Sequence, residues 1–157
     1  MLIKPKKSLG QNFLHDENII NKIINASKIS SDDQVLEVGP GTGNLTKLII
    51  SQKPKKIYVV EKDKSLAAEL EKQYYNKINI INEDILKITN EFYSGKKFLI
   101  LGNLPYNIST KILSNWCLNN KLNVSKMILM FQKEVAERIL ADVNSKDYSR
   151  ITILSKW

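Results

Sequence analysis

Short apolar segments alternate with amphipathic segments along the chain, and this alternation limits the folds that the sequence can adopt. Six apolar segments have the length and β-branched composition of buried parallel strands: 35–38, 57–60, 78–81, 98–101, 127–131 and 151–154. Five other segments have helical spacing: 18–27, 44–51, 65–75, 109–117 and 133–143. The pattern predicts an α/β fold with a doubly wound, mostly parallel sheet, whose ligands bind beyond the carboxyl ends of the strands.

The size and composition of the chain favour one folded domain. Its 157 residues are 43% hydrophobic and 25% charged, proportions typical of a protein with an apolar core. The net charge of +8 favours an anionic partner, nucleic acid ahead of a membrane surface, although solubility alone also explains it. No apolar run approaches the roughly 18 residues that span a bilayer, so we expect no membrane segment.

Cysteine and histidine are too scarce for a disulfide framework or a zinc site. The chain contains one cysteine, Cys117, and one histidine, His15. A single cysteine cannot form an intramolecular disulfide, so we expect a cytoplasmic protein. Zinc sites need several Cys and His ligands, so we expect no metal. Any catalysis would then depend on carboxylates, amides, hydroxyls or backbone groups.

Three alternating glycines, Gly39, Gly41 and Gly43, follow the first predicted strand. Glycine lacks a Cβ and accepts positive φ, so such a turn lets a ligand approach the bare backbone. A dinucleotide site would carry a further glycine at Asn44, which disfavours a nicotinamide cofactor. A tight strand-to-helix turn without a ligand is the alternative.

Acidic residues follow the next two predicted strands. Glu61 is suited to accept hydrogen bonds from both hydroxyls of a ribose. Asp84 is suited to accept one from an adenine amino group, and Ile85 would cover the ring. A solvated carboxylate at a strand end is the alternative for Glu61. Together with the glycines, the two acids predict a site for a cofactor that contains adenosine.

The segment from Asn103 to Tyr106 follows the fourth predicted strand and carries the candidate chemistry. An exocyclic amine of a base is a poor nucleophile, because its lone pair is delocalised into the ring. A site that methylates it must accept its N–H hydrogens and orient that lone pair. The side-chain oxygen of Asn103 and a main-chain carbonyl at Leu104 or Pro105 are suitable acceptors, and Tyr106 offers a ring for stacking. A turn that merely packs onto the core is the alternative.

These motifs together resemble the adenine N6,N6-dimethyltransferases that act on small-subunit ribosomal RNA. The matching segments are 7–14 (KSLGQNFL), 37–46 (EVGPGTGNLT), 60–61, 83–85, 102–109 (GNLPYNIS) and 131–138 (FQKEVAER). The resemblance implies a Rossmann-like class I methyltransferase fold with S-adenosylmethionine as methyl donor. It implies two adjacent adenosines of small-subunit rRNA within a pre-ribosomal particle as substrate. On this basis we hypothesise direct in-line transfer of the sulfonium methyl group to N6, without a covalent enzyme intermediate or a metal.

The resemblance also implies roles for individual residues. The expected cofactor contacts, with the two further glycines of the turn included, are Asn12, Leu14, Gly39, Gly41, Gly43, Glu61, Asp84 and Asn103. The residues expected to hold the target amine are Asn103, Leu104, Pro105 and Tyr106. Phe13 and Phe131 are expected beside the flipped base. Candidate phosphate contacts are Lys4, Lys6, Lys7, Lys111, Lys133, Arg138 and Arg150.

Family members continue beyond the strand predicted at 151–154 with a further strand and a small helical domain. We therefore expect residues 1–157 to form a single catalytic domain, a C-terminally truncated fragment that lacks both. A sheet edge exposed in this way favours some self-association between molecules.

Three other functions stay open on the sequence alone. A large-subunit rRNA adenine methylase of the antibiotic-resistance type shares the fold and cofactor motifs, but resembles segment 132–138 less well. A DNA adenine methylase usually carries proline at the position of Leu104. A non-catalytic RNA-binding factor in ribosome assembly would keep the fold and lose methyl transfer.

Overall fold

The computed structural model describes Lys6 and residues 10–156, and five strands lie within them. They are β1 (Gln34–Val38), β2 (Lys56–Val60), β3 (Asn79–Ile81), β4 (Lys97–Asn103) and β5 (Asn123–Met130). All neighbouring pairs are parallel, and the strand order is β3-β2-β1-β4-β5. The predicted doubly wound sheet is confirmed. Its topological switch point, where ligands bind in such folds, lies between β1 and β4.

Seven α-helices and one short 3-10 helix connect and flank the strands in the described part of the chain. The helices are α1 (Glu17–Ser27), α2 (Asn44–Ser51), α3 (Lys64–Gln73), α4 (Asn90–Tyr93), α5 (Ser109–Cys117), α6 (Lys133–Leu140) and α7 (Arg150–Lys156). The 3-10 helix is Ile85–Lys87. Periodicity predicts α1, α2, α3, α5 and α6, whereas α4 and the 3-10 helix are too short to carry a helical repeat.

Alternate residues of the strands pack into two apolar layers, one on each face of the sheet. On one face, Leu36 and Val38 of β1 belong to a buried cluster with Ile112 of α5. On the other face, Val35 packs in a cluster that includes Ile49 of α2. Because both faces are covered, the central strands are apolar on both sides, which is why they appear as continuous apolar runs.

The strand predicted at 151–154 is wrong, since these residues form helix α7. The N–H of Ser149 donates to Thr152 Oγ1 at 3.0 Å, a hydrogen bond of the capping-box type that begins a helix. Thr152 is fully buried, and its hydroxyl donates to the carbonyl of Arg138 in α6. Four apolar or β-branched residues in a row fit either structure, and packing of α7 against α5 and α6 decides between them.

Strand β5 lies at one edge of the sheet and is its longest strand, with eight residues. Its side chains are exposed or only partly buried, in contrast to the fully buried residues of β4. Self-association through this edge stays a prediction. Among the helices described by the structure, none is both long enough and apolar enough to cross a membrane.

Candidate functional site

A pocket opens at the carboxyl ends of the strands, at the switch point between β1 and β4. Its walls come from six parts of the chain: residues 10–14, the end of β1 with its glycine turn, Leu45 of α2, the end of β2, residues 83–85, and the segment that begins with the last residue of β4, represented by Asn103, Pro105, Asn107 and Ile108. The lining contains four acids and one base among the described residues: Glu37, Glu61, Glu83, Asp84 and Lys62. This acidic pocket, as we call it, contrasts with the net charge of +8 of the whole chain.

The glycine turn allows other segments to approach the pocket closely. Gly39 has φ +69°, and a Cβ there would lie 3.0 Å from the carbonyl oxygen of Asn103. Gly41 has φ +58°, and a Cβ there would lie 2.9 Å from the ring of Phe13. Both positions therefore need glycine for two reasons, the positive φ and the lack of space. Both glycines line the pocket, and their contact with a cofactor stays a prediction.

Gly43 serves the packing of helices and does not belong to the described pocket lining. It is the N-cap of α2, with φ 83°. A Cβ at this position would lie 2.7 Å from a methyl group of Leu70 in α3, and its carbonyl accepts a hydrogen bond from the Tyr74 hydroxyl at 3.2 Å. The close packing of α3 and the positive φ therefore explain why this position needs glycine, without any contact to a ligand. A cofactor contact at Gly43 stays a prediction.

Glu37 is a buried acid in the pocket wall that the sequence analysis does not single out. It is 1% exposed, and neither carboxyl oxygen has a hydrogen-bond partner among the described residues. Burial raises the pKa of Glu37 to about 8, the nearby hydroxyl of Thr46 opposes this shift, and the charge of Glu61 adds to it. The available sequence signal is an acid inside an otherwise apolar strand, which predicts a buried and costly charge.

Glu61 follows β2 directly and lies in the pocket wall, 6% exposed. Burial raises the pKa of its carboxyl, and the backbone N–H groups of Asp63 and Gly41 oppose the rise. The N–H of Asp63 donates to Glu61 Oε1 at 2.8 Å. This hydrogen bond fixes one carboxylate oxygen and orients the group.

Asp84 also lines the pocket, but the protein already occupies both of its oxygens. Oδ1 accepts the N–H of Leu86 at 3.0 Å, and Oδ2 accepts the ammonium of Lys62 at 3.0 Å. Partial burial favours the neutral form, yet these two partners outweigh it and hold the pKa of Asp84 below its ordinary value. Asp84 is therefore a carboxylate, and a ligand donor would share an oxygen with one of them.

Residues 10–15, which we call the N-terminal strap, form one wall of the pocket through residues 10–14. Asn12, Phe13 and Leu14 line the pocket, so the predicted contacts of this segment lie together. The carbonyl of Leu14 accepts a hydrogen bond from the side chain of Asn44 at 2.8 Å. Gln11 donates to Asp63 at 3.3 Å. The strap is thus tied to α2 and to the turn after β2.

Asn12 connects the strap to the candidate catalytic segment through two hydrogen bonds. Its carbonyl accepts from Asn103 Nδ2 at 2.6 Å, and its own Nδ2 donates to the Tyr106 hydroxyl at 2.8 Å. Asn103 Oδ1 is buried and has no hydrogen-bond partner among the described residues. One strap residue therefore orients both side chains and leaves the acceptor oxygen of Asn103 available to a ligand.

The other predicted target-site residues differ in their surroundings. Pro105 lines the pocket, whereas Leu104 is 1% exposed and packs in the apolar cluster of α5. Only the backbone of Leu104 is thus a candidate for polar contact with a base. Tyr106 and Phe131 are half-buried and lie outside the described pocket lining. Phe131 directly follows β5 and packs against the same cluster, so its contact with a base stays a prediction.

Several candidate phosphate contacts are already paired with acids. Lys6 binds Asp63 at 2.7 Å, and this contact, with the N–H groups that Asp63 accepts as the N-cap of α3, lowers the pKa of Asp63. Lys133 and Arg138 pair with acids of α6 at 3.7 Å and 3.2 Å. Lys111 and Arg150 are exposed. Lys4 and Lys7 lie outside the described residues, so all seven phosphate contacts stay predictions.

Known proteins with similar sequences carry names that concern ribosomal RNA. The chain is 52% identical over 159 aligned residues to the ribosomal RNA small subunit methyltransferase A of Pelagibacter ubique. This alignment covers 100% of this chain and 60% of that protein. It is 46% identical over 149 residues to the protein of the same name from Malacoplasma penetrans, with 94% of this chain and 53% of that protein covered. The chain thus spans little more than half the length of these relatives.

Two solved structures combine the fold with appreciable sequence identity. A dimethyladenosine transferase from Plasmodium falciparum superposes with a TM-score of 0.80 at 35% identity, over 92% of this chain and 52% of that chain. The 23S rRNA methyltransferase ErmE gives 0.73 at 28% identity, over 92% of this chain and 55% of that chain. Both similarities agree with a class I methyltransferase fold.

The family comparison covers nearly the whole chain. The family described as ribosomal RNA adenine dimethylase matches residues 3–157. The matched range contains the glycine turn, the acids after β2 and β3, and the segment after β4. The chain therefore belongs to the ribosomal RNA adenine dimethylase family.

Proposed function

We propose that the chain binds S-adenosylmethionine in the acidic pocket and transfers its methyl group to the N6 amine of adenosine in small-subunit ribosomal RNA. One observation carries the proposal: in the pocket of this strongly basic chain, buried oxygens have no hydrogen-bond partner among the residues that the structure describes. These oxygens belong to Glu37 and Asn103. The acids of this lining would repel the negative charge of a pyrophosphate. A cation with several hydrogen-bond donors would instead pair with their oxygens.

The residues of the acidic pocket fit such a cofactor. Glu61, held by the N–H of Asp63, would accept the hydroxyls of a ribose. Gly39 and Gly41 line the pocket, and the lack of a Cβ lets the carbonyl of Asn103 and the ring of Phe13 lie close to the turn, so that these groups and the bare backbone together form the wall. The carboxylate of Asp84 favours the positive charge of the sulfonium and ammonium groups, and Glu37, whose pKa is raised to about 8, offers oxygens for hydrogen bonds. When bound, S-adenosylmethionine supplies an electrophilic methyl group.

The segment after β4 would hold the target amine. Asn103 Oδ1 and the carbonyl of Leu104 or Pro105 would accept the two N6 hydrogens, and this orients the nitrogen lone pair away from the adenine ring. Tyr106 would stack on the extruded base, its hydroxyl held by Asn12. These residues position the amine and need no strongly basic side chain.

The names of the relatives support small-subunit ribosomal RNA as the substrate. The Pelagibacter and Malacoplasma proteins are named for that subunit, and the Plasmodium protein is named for dimethyladenosine. We propose the same substrate here, met within a pre-ribosomal particle. The net charge of +8 supports an RNA partner, because lysines near phosphates release condensed counterions.

The first experiment tests the cofactor. Calorimetric titration with S-adenosylmethionine is expected to give saturable one-site binding, with no response to NAD. Glu61→Ala is expected to weaken binding, whereas Glu83→Ala removes the same charge from an exposed residue of the lining and should weaken it much less. Equal losses in the two variants would mean that general charge, and not a ribose contact at Glu61, accounts for the affinity.

The second experiment tests the reaction. The chain is expected to methylate a small-subunit rRNA transcript and not a large-subunit one, and Asn103→Ala is expected to abolish transfer with cofactor binding only modestly weakened. Full turnover by Asn103→Ala contradicts the role of its side chain. Methylation of the large-subunit transcript alone favours the antibiotic-resistance type of activity. Salt-dependent RNA binding without transfer by the unmodified chain favours a non-catalytic assembly factor.

A further inference from the structure

A second concave surface lies at the amino ends of β2 and β3, and the proposed chemistry does not use it. It is formed by the turn before β2, the end of α3 and the turn before β3. We call it the basic groove, because its charged and aromatic lining includes Lys53, Lys55, Lys56, Lys77, Glu71 and Tyr75. The acidic pocket lies at the other ends of the same strands.

The basic groove is well separated from the catalytic end of the sheet. Lys56 begins β2, and Glu61 follows the last residue of that strand. A strand rises about 3.3 Å per residue, so these two residues lie roughly 17 Å apart along β2. The nucleotide next to a target base in the acidic pocket is too close to that base to occupy the groove as well. RNA in the groove would therefore lie at least several nucleotides away from the target base.

The charge of the groove is strongly unbalanced. Its four lysines are all exposed, and Glu71 is the one acid among the described lining residues. None of these lysines takes part in an ion pair of the described structure. Four like charges in one concavity repel one another and attract anions. Charge is thus distributed asymmetrically: acidic residues surround the acidic pocket, and basic residues lie at the opposite ends of the strands.

An exposed aromatic side chain accompanies these lysines. Tyr75 is 73% exposed, although tyrosine usually buries most of its ring. Aromatic rings beside a row of cations form the usual surface for unpaired nucleotides, which stack on the ring while the cations contact their phosphates. A bilayer surface is flat, so a concave groove suits a nucleic-acid strand better than a membrane.

We propose that the basic groove binds the phosphate backbone of ribosomal RNA at a segment remote from the target adenosine. This proposal rests on the proposed function, since it extends the contact with the same RNA. Lys53, Lys55 and Lys77 are phosphate contacts, and Tyr75 is a stacking surface. Lys56 is less available, because its ammonium lies 5.2 Å above the ring of Tyr58.

The test compares two triple variants with equal loss of charge. The groove variant is Lys53→Gln with Lys55→Gln and Lys77→Gln. The control is Lys22→Gln with Lys47→Gln and Lys64→Gln, three exposed lysines of the first three helices that line neither the pocket nor the groove. Affinity for a small-subunit rRNA transcript is measured over a salt series. The groove variant is expected to reduce the slope of log affinity against log salt by about two to three, and the control to leave it nearly unchanged.

Two further measurements separate the possible outcomes. Methyl transfer to an oligonucleotide too short to reach the groove is expected to be equal in both variants, and transfer to the long transcript to fall only in the groove variant. Equal salt slopes in the two variants overturn the groove proposal alone, whereas no RNA binding by the unmodified chain overturns the proposed function. Loss of binding to anionic phosphatidylglycerol vesicles with unchanged RNA affinity also overturns the proposal, in favour of a membrane partner.

Discussion

Replacement of Gly39 by alanine tests whether the glycine turn couples β1 to the catalytic segment. Gly39 has φ +69°, and the new methyl group would lie 3.0 Å from the backbone oxygen of Asn103. That oxygen belongs to the end of β4, whose preceding residue, Gly102, pairs with Val38 in the sheet. Since the obstacle is paired backbone and not a flexible side chain, one of the two strand ends must move by a few tenths of an ångström.

Gly95→Ala is the matched control. Gly95 has φ +70°, and a Cβ there would meet nothing within 4 Å. Left-handed backbone costs an L-residue about 1–2 kcal/mol, and the stiffer unfolded chain offsets about 0.4–1 kcal/mol of this. We expect a loss of about 1 kcal/mol for Gly95→Ala. Gly39→Ala should lose about 2–4 kcal/mol, because crowding against fixed atoms adds about 1–3 kcal/mol.

The assay is urea unfolding of both variants together with S-adenosylmethionine titration. Gly39→Ala is expected to weaken cofactor binding at least about tenfold, or about 1.4 kcal/mol, because Gly39 and Asn103 both line the acidic pocket. Gly95→Ala should leave binding unchanged. Equal losses of stability in the two variants, or normal cofactor affinity in Gly39→Ala, would refute the argument that the missing Cβ allows the end of β4 to lie close to the glycine turn.

Three further substitutions test other parts of the structure. The pKa of Glu37 is raised to about 8 in the folded chain, so its contribution to stability is present below about pH 4.5 and lost as the pH rises to 8. In Glu37→Gln the free energy of unfolding should no longer carry this decrease, which amounts to at most about 1.4 kcal/mol per pH unit between pH 4.5 and 8. Unfolding free energies that change in parallel with pH in the variant and the unmodified chain would contradict the raised pKa. Tyr106→Phe keeps the ring but loses the bond from Asn12, so methyl transfer should fall less than in Tyr106→Ala; equal rates in the two variants argue against stacking. Thr152→Val removes both the hydrogen bond to the carbonyl of Arg138 and the bond from the N–H of Ser149 and should cost about 1–3 kcal/mol in urea unfolding, whereas an unchanged midpoint would show that these bonds do not hold α7.

The elements best predicted from the sequence are those with a local signature. The segment 35–38 coincides with β1 to within one residue, because both faces of this strand are buried and its apolar run is continuous. Gly39 and Glu61 could be assigned to the site for a related reason. In a parallel sheet every strand carries its carboxyl end to the same edge, so residues after successive strands converge there.

The features that escaped prediction depend on contacts distant in sequence. The run at 151–154 has no periodicity that separates strand from helix, and its packing on α5 and α6 makes it helical. Gly43 belongs to the same glycine pattern as Gly39, but the position of α3 makes it a packing residue. The acid at Glu37 is visible in the sequence, but its burial is not, nor is its lack of hydrogen-bond partners within the described part of the chain.

The sequence by itself determined the strand-helix alternation, the sheet type and the edge at which the ligand site forms, because these follow from hydrophobic periodicity and from glycine stereochemistry. Only the tertiary structure decided which side chains meet across long separations. Asn12 contacts Asn103 and Tyr106, more than 90 residues away, and the lysines of the basic groove come together from turns before two different strands. Such contacts depend on the order and register of the strands, which are properties of the whole sheet and not of any local segment.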